Sequence, residues 1–192
     1  LKGLANDYVG KSMSSGIISV RMHEKLRNKS TKNSLIGNVA LYGATGGELY
    51  VEGKGGERFA VRNSGASAIV EGIGNHGCEY MSQGTVVVLG IIGKNFGAGM
   101  TGGVAFIYSK KRLLKNYLNH DFVLETSIDA KKDENIILDL LRNHVFHTNS
   151  KLGIKILKSW KIEKANFKKI TPKATKTLNI ESIYDSHIAT RI

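Results

Sequence analysis

The chain has 192 residues, a formal net charge of +12 and 41% hydrophobic content. That length allows one good-sized core or two small ones, and no apolar run approaches the ~18 residues of a membrane helix. The single cysteine, Cys78, excludes an internal disulfide and any cysteine-built zinc site, and makes a reducing interior the default. A start at Leu1 rather than Met reads as a fragment of something longer.

In chain order, short β runs come first, separated by glycine turns: GIISV (16–20), NVALY (38–42), ELYV (48–51), RFAV (58–61), SAIV (67–70), TVVVLG (85–90) and VAFIY (104–108). Helical patterns follow. KKRLLKNYLNH (110–120) is the first candidate. KDENIILDLLRNHVFH (132–147) places Ile137, Leu140, Leu141 and Val145 on one stripe. KLGIKILKSWKI (151–162) turns Ile156, Leu157 and Trp160 inward and Lys151, Lys155 and Lys158 outward. Of 22 glycines, only Gly153 lies beyond residue 109, so residues 1–109 read as a β domain and 110–192 as a helical, lysine-rich tail.

The β part repeats. Gly46, Gly65, Gly84 and Gly103 recur at intervals of 19, as do Gly55, Gly74 and Gly93. Tyr50, Ile69, Val88 and Ile107 form one apolar column in step with them, and Val51, Val70, Leu89 and Tyr108 form the next. A period near 19 with two or three strands per turn predicts a parallel β-helix, a solenoid of stacked coils. Coils about 4.8 Å apart bring each corner residue against its copies above and below, so the same corner asks for glycine in every coil.

That reading disposes of a tempting motif. GIGNHGC (72–78) spells G-x-G-x-x-G after an apolar run, as a dinucleotide-binding turn does. The turn needs a helix after it, and only six residues separate Gly77 from Gly84 and the next β run. Gly72 and Gly74 are therefore expected to form a coil corner, with counterparts at Gly53 and Gly55.

Other chemical candidates read as structure too. Cys78 falls in the column of Phe59, as a small buried hydrophobe. His76 and Glu79 beside it form no obvious pair with that thiol, and Asn63 and Asn95 suit corners. Glu48, Glu57, Arg58 and Arg62 fit outward positions. His144 and His147 lack a third ligand. No catalytic, cofactor-binding or metal-binding residue is assigned. Residues 110–192 hold 17 Lys/Arg against 9 Asp/Glu, but lysines outnumber arginines 21 to 7 and no aromatics interleave the run from Lys151 to Lys176 at stacking intervals. A solvated surface is favoured over nucleic-acid binding.

With the repeat in view, three segments resemble the C-terminal GXGXG domain of the glutamate synthase large (alpha) subunit: ANDYVGKSMSSGIISVR (5–21), the long glycine-rich stretch 37–90, and KNFGAGMTGGVAFIY (94–108). The likeness fades and returns in LRNHVFHTNSKLGIKILKSW (141–160) and ANFKKITPKA (165–174). The resemblance implies a right-handed β-helix with a helical tail. It implies a non-catalytic scaffold for a parent enzyme that moves ammonia from glutamine to 2-oxoglutarate and reduces the product to glutamate. FMN, an iron–sulfur cluster and every catalytic residue would belong to other parts: an amidotransferase domain and an FMN barrel, with a small subunit as a further partner. Self-association of the isolated fragment, and a cytoplasmic or plastid setting, are further expectations. A subunit of formylmethanofuran dehydrogenase carries a similar glycine-repeat helix and is the alternative, with a basic nucleic-acid-binding module behind it.

Overall fold

A computed structural model describes residues 1–25, 33–110, 113–128 and 131–173; the end of the lysine-rich tail lies outside the described residues. The strands β1 (Ile17–Val20), β2 (Glu48–Lys54), β3 (Ser64–Gly72), β4 (Gln83–Val88) and β5 (Val104–Tyr108) pair in parallel, in chain order. One strand per coil makes this sheet one wall of a β-solenoid. Two strands absent from the sequence reading, β6 (Val123–Thr126) and β7 (Phe167–Pro172), extend the sheet: β7 runs antiparallel to β5, and β6 antiparallel to β7. Helices α1 (Lys132–Thr148), α2 (Lys151–Lys158) and α3 (Trp160–Glu163) accompany them.

The ladders correct the apolar columns. Tyr50 faces Ile69, as expected, but Ile69 faces Val87 and Val87 faces Phe106. The neighbouring ladder is Val51, Val70, Val88, Ile107. Val88 and Ile107 therefore leave the column of Tyr50 and Ile69, and Leu89 and Tyr108 leave that of Val51 and Val70. The cause is an irregularity between Ser64 and Ser67, after which Ser67 pairs with Thr85, an 18-residue step between two of 19. Because strand side chains alternate, a slip of one residue exchanges faces. Val51, Val70, Val88 and Ile107 line the solenoid interior. Tyr50, Ile69, Val87 and Phe106 point outward, where Ile137, Leu141 and Ile156 of the helices cover them.

The glycine columns shift for the same reason. Strand register sets Gly16 beside Gly47 and, after Ala66, Gly84 beside Gly103. All four glycines have φ between 73° and 91°, the left-handed region that a Cβ disfavours. Gly46 and Gly65 belong to the preceding position. In the second set Gly55 gives way to Gly56: the amides of Gly37, Gly56, Gly74 and Gly93 donate in turn to Asn6, Gly37, Gly56 and Gly74. The stretches NVALY and RFAV, read above as strands, form no strand. They lie in a second wall in which every other residue has φ near +60°: Val39, Leu41, Gly43; Arg58, Ala60, Arg62; His76, Cys78, Tyr80; Asn95, Gly97, Gly99. Each residue with a Cβ pays roughly 1–2 kcal/mol for that conformation. The amides remain satisfied between coils. Arg58 and Arg62 donate to Asn75 and Glu79 of the next coil, while Ala60 donates to Ala40 of the previous one.

Within the tail, the described part of 110–120 is a 3-10 turn at Leu114–Asn116 rather than an α-helix. Tyr117 and Asn119 instead bracket Phe96 by backbone hydrogen bonds of 2.9 Å, and Leu114 and Leu118 close the core beneath the last coil. An open solenoid end needs such a cap, and that demand overrides helix propensity. The stripe of α1 holds Ile137, Leu140 and Leu141 as read, but continues through buried His144 and Thr148 rather than Val145.

Candidate functional site

The glycine motif can be judged by where its amides go. A phosphate loop keeps its N–H groups free for the ligand. Here Gly74 donates to Gly56 at 3.0 Å, His76 to Lys94 at 2.8 Å and Cys78 to Phe59 at 2.8 Å. Strand β3 enters the motif and the left-handed wall leaves it, with no helix. By the conformational alternation Cys78 stacks on Ala60, one position from the expected Phe59. It is 0% exposed and burial raises its pKa, so it is an inert thiol filling the core.

Beside those glycines runs a side-chain ladder that the sequence reading missed. Asp7 Oδ1 accepts the Asn38 amide, Asn38 Oδ1 accepts the Glu57 amide, and Asn75 Oδ1 accepts the Lys94 amide, at 2.7–2.8 Å. For Asn38 and Asn75 the signal was a polar acceptor immediately after a glycine, whereas Asp7 follows Asn6. On the outer face of the left-handed wall, Glu79 Oε1 lies 2.7 Å from His76 Nδ1 and accepts from Asn95 Nδ2 at 2.9 Å. Asn119 donates to Asn95 at 2.7 Å and so ties the capping segment to this network.

A second polar cluster is sealed between solenoid and helices. Asn149 ends α1 in the left-handed conformation (φ 58°). Ser150 then caps α2, its Oγ accepting the Gly153 amide at 2.9 Å, and donates its own proton to Glu71 Oε1. His144 Nε2 lies 3.7 Å from the same oxygen. Glu71, His144 and Ser150 are all buried, so substrate has no approach. Glu52, the rung before Glu71, is buried too and accepts the Met22 amide at 3.0 Å. Such a cluster sets register: the α1–α2 corner can dock on one rung only. His147, the other histidine singled out above, stacks on Tyr50 with centroids 4.9 Å apart.

A family model described as the GXGXG motif matches residues 1–173. The chain belongs to this family, in the form found in glutamate synthase large chains. It is 46% identical over 179 residues to the glutamate synthase [NADPH] large chain of Bacillus subtilis, which covers 93% of this chain and 12% of that one. It is 45% identical over 176 residues to ferredoxin-dependent glutamate synthase 2 of Synechocystis, covering 92% and 11%. It is 40% identical over 178 residues to glutamate synthase [NADH] of Schizosaccharomyces pombe, covering 93% and 8%. The chain thus spans about a tenth of the length of these curated relatives.

The GXGXG match runs through β7, so it includes the tail strands and helices with the solenoid. What joins the two is ionic as well as apolar. Tyr108, at the end of β5, donates to Glu163 Oε2 at 2.7 Å, and Lys110 reaches Oε1 at 2.7 Å. Lys110 first and Tyr108 second hold the Glu163 carboxyl below its ordinary value, while Glu163 raises that of Lys110. Lys169 of β7 pairs with Asp133 of α1 at 2.8 Å. Trp160 and then Lys164 lower the pKa of Glu134. Among the described residues of this GXGXG domain, no group of three or more His, Cys, Asp or Glu converges as metal ligands would, and no helix is long and apolar enough to cross a membrane.

Proposed function

We infer that this chain is a non-catalytic scaffold of a glutamate synthase, the parent taking glutamine, 2-oxoglutarate and reductant to two glutamates. Residues 1–109 form the solenoid and 110–192 its cap and tail. The observation that carries the reading is that the glycine motif, the thiol and the buried polar cluster are all committed to the fold itself. The amides of the glycine motif bond neighbouring coils, the lone thiol lies in the core, and the Glu71–Ser150–His144 cluster is sealed under α1. Stacked coils bonded through both walls make a stiff body, suited to keeping an amidotransferase domain and an FMN-binding barrel at fixed separation. An iron–sulfur cluster needs several thiolates and this chain has one cysteine, so this reading assigns the cluster to the other domains, and FMN with it. The setting is cytoplasmic, or the plastid in an alga or plant.

The test is a titration of the purified chain with FMN, followed by flavin fluorescence, alongside a glutaminase assay. The scaffold reading expects neither saturable binding nor turnover. Saturable FMN binding, or glutamine hydrolysis by this chain alone, overturns it.

A further inference from the structure

The outer face of the left-handed wall carries side chains whose conformation the described chain does not explain. At the inward column, residues with a Cβ fill the core: Leu41, Ala60 and Cys78 are 0% exposed. At the outward columns His76 and Asn95 share Glu79, and Tyr8 lies 5.3 Å beneath Lys11 Nζ. Of the rest, Val39 (φ 63°) is half-buried and Ser12 (φ 56°) is small, and the large exposed side chains are Arg58 (φ 56°), Arg62 (φ 55°) and Tyr80 (φ 53°). Gly43 and Gly99 occupy the place of Arg62 and Tyr80 in the flanking coils, so the backbone there is served by glycine. Among the described residues neither arginine makes an ion pair; the Arg62 guanidinium only lies 6.0 Å over the Tyr80 ring. Backbone strain that carries solvated side chains points outward, to something they touch.

Residue type says what that is. The exposed cations of α2 are lysines, the solvated kind, whereas this wall presents arginine and tyrosine, the residues that anchor interfaces. We propose that the left-handed wall docks a carboxylate-bearing surface of another domain of the same polypeptide, with Arg58 and Arg62 as guanidinium forks and Tyr80 as the ledge beside Arg62. This rests on the reading of the chain as one domain of a larger enzyme, of which relatives are about ten times its length. A guanidinium fork matches a carboxylate bidentately. It also matches phosphate, but a nucleic acid is disfavoured: single strands are held on successive aromatic rings, and Tyr80 is the one ring that either arginine lies over among the described residues.

The experiment uses the full-length synthase that contains this domain. Arginine-directed labelling with phenylglyoxal, read by peptide mass spectrometry, compares Arg58 and Arg62 with Arg142, whose side chain is 61% exposed on α1. Docking expects Arg58 and Arg62 to react at least about tenfold more slowly than Arg142, as buried interface anchors do; equal rates overturn the proposal. In R58K, zero-length carbodiimide coupling should join position 58 to an Asp or Glu of the same polypeptide outside residues 1–192. Coupling to a second copy of the chain, or protection that arises only on adding RNA, overturns it instead. The FMN titration above reports on the domain reading separately, since flavin binding would sink that reading without altering the labelling rates.

Discussion

The two walls of each coil stack in register with one another, yet they use opposite residue chemistry. The sheet wall is buried on both sides, with Val51, Val70, Val88 and Ile107 inside and Tyr50, Ile69, Val87 and Phe106 under the helices. It follows the rule for parallel sheets covered on both faces and reads as near-continuous apolar runs. The left-handed wall is covered on one side only. It alternates φ near +60° with ordinary conformations, and tolerates Arg58, His76 and Tyr80 where glycine is cheapest. Stacking, rather than local preference, holds the second wall: its amides find carbonyls above and below, and the preference of any one residue is outvoted.

That contrast can be broken or sharpened. The largest effect belongs to Gly93→Val, whose Cβ would sit inside the Asn75 amide and the Gly74 carbonyl carbon. Backbone cannot yield there, and the variant should lose roughly 4–5 kcal/mol or fail to fold, seen as insoluble protein or a collapsed denaturation midpoint. On the sheet wall, Ile107→Ala leaves a cavity at a 0% exposed position and should cost about 3 kcal/mol in urea unfolding, with solubility retained. Between the walls and the tail, Ser150→Ala removes both the α2 cap and the Glu71 partner, and should cost about 2 kcal/mol. Arg58→Gly should leave stability within about 1 kcal/mol of wild type, on the stabilising side, because relief of left-handed strain offsets glycine's entropy. A clear loss there would deny that the wall is strained.

The smallest effect is in pH. Glu163 ionises below its ordinary value in the folded chain because of Lys110 and Tyr108. Its contribution is therefore complete above about pH 5 and is lost as pH falls through the folded value. Glu163→Gln should flatten the acid limb of the stability profile and leave the neutral region lower but level; an unchanged acid limb would detach this residue from the tail's attachment.

Much of this was legible before any coordinates. Stacked coils followed from the glycine spacing, the sheet strands from their β-branched runs, and α1 and α2 from their stripes, although the one helix read over 151–162 breaks at Ser159 into α2 and α3. The tail strands were not, because FVLET and FKKITP are short and become strands only by adding to the edge of β5. His144 was read only as a histidine lacking a third metal ligand, since Glu71, its neighbour, lies 73 positions away and on another element. Glu71 itself sits in a run, SAIVEG, whose last charged residue reads as the end of burial; the helices cover it.

By itself the sequence determined that coils would stack at a period near 19 and that glycine would mark their corners, because those demands recur locally in every coil. It also carried, in its segments, the likeness to the GXGXG domain. The tertiary structure alone decided that one coil is a residue shorter, since a bulge is visible only against the strand it pairs with. That single residue chose which apolar column faces the interior and which faces the helices. It alone decided, too, that one wall is left-handed, because no side chain besides glycine and asparagine announces positive φ, and the stacked hydrogen bonds that impose it come from residues 17 or more positions away.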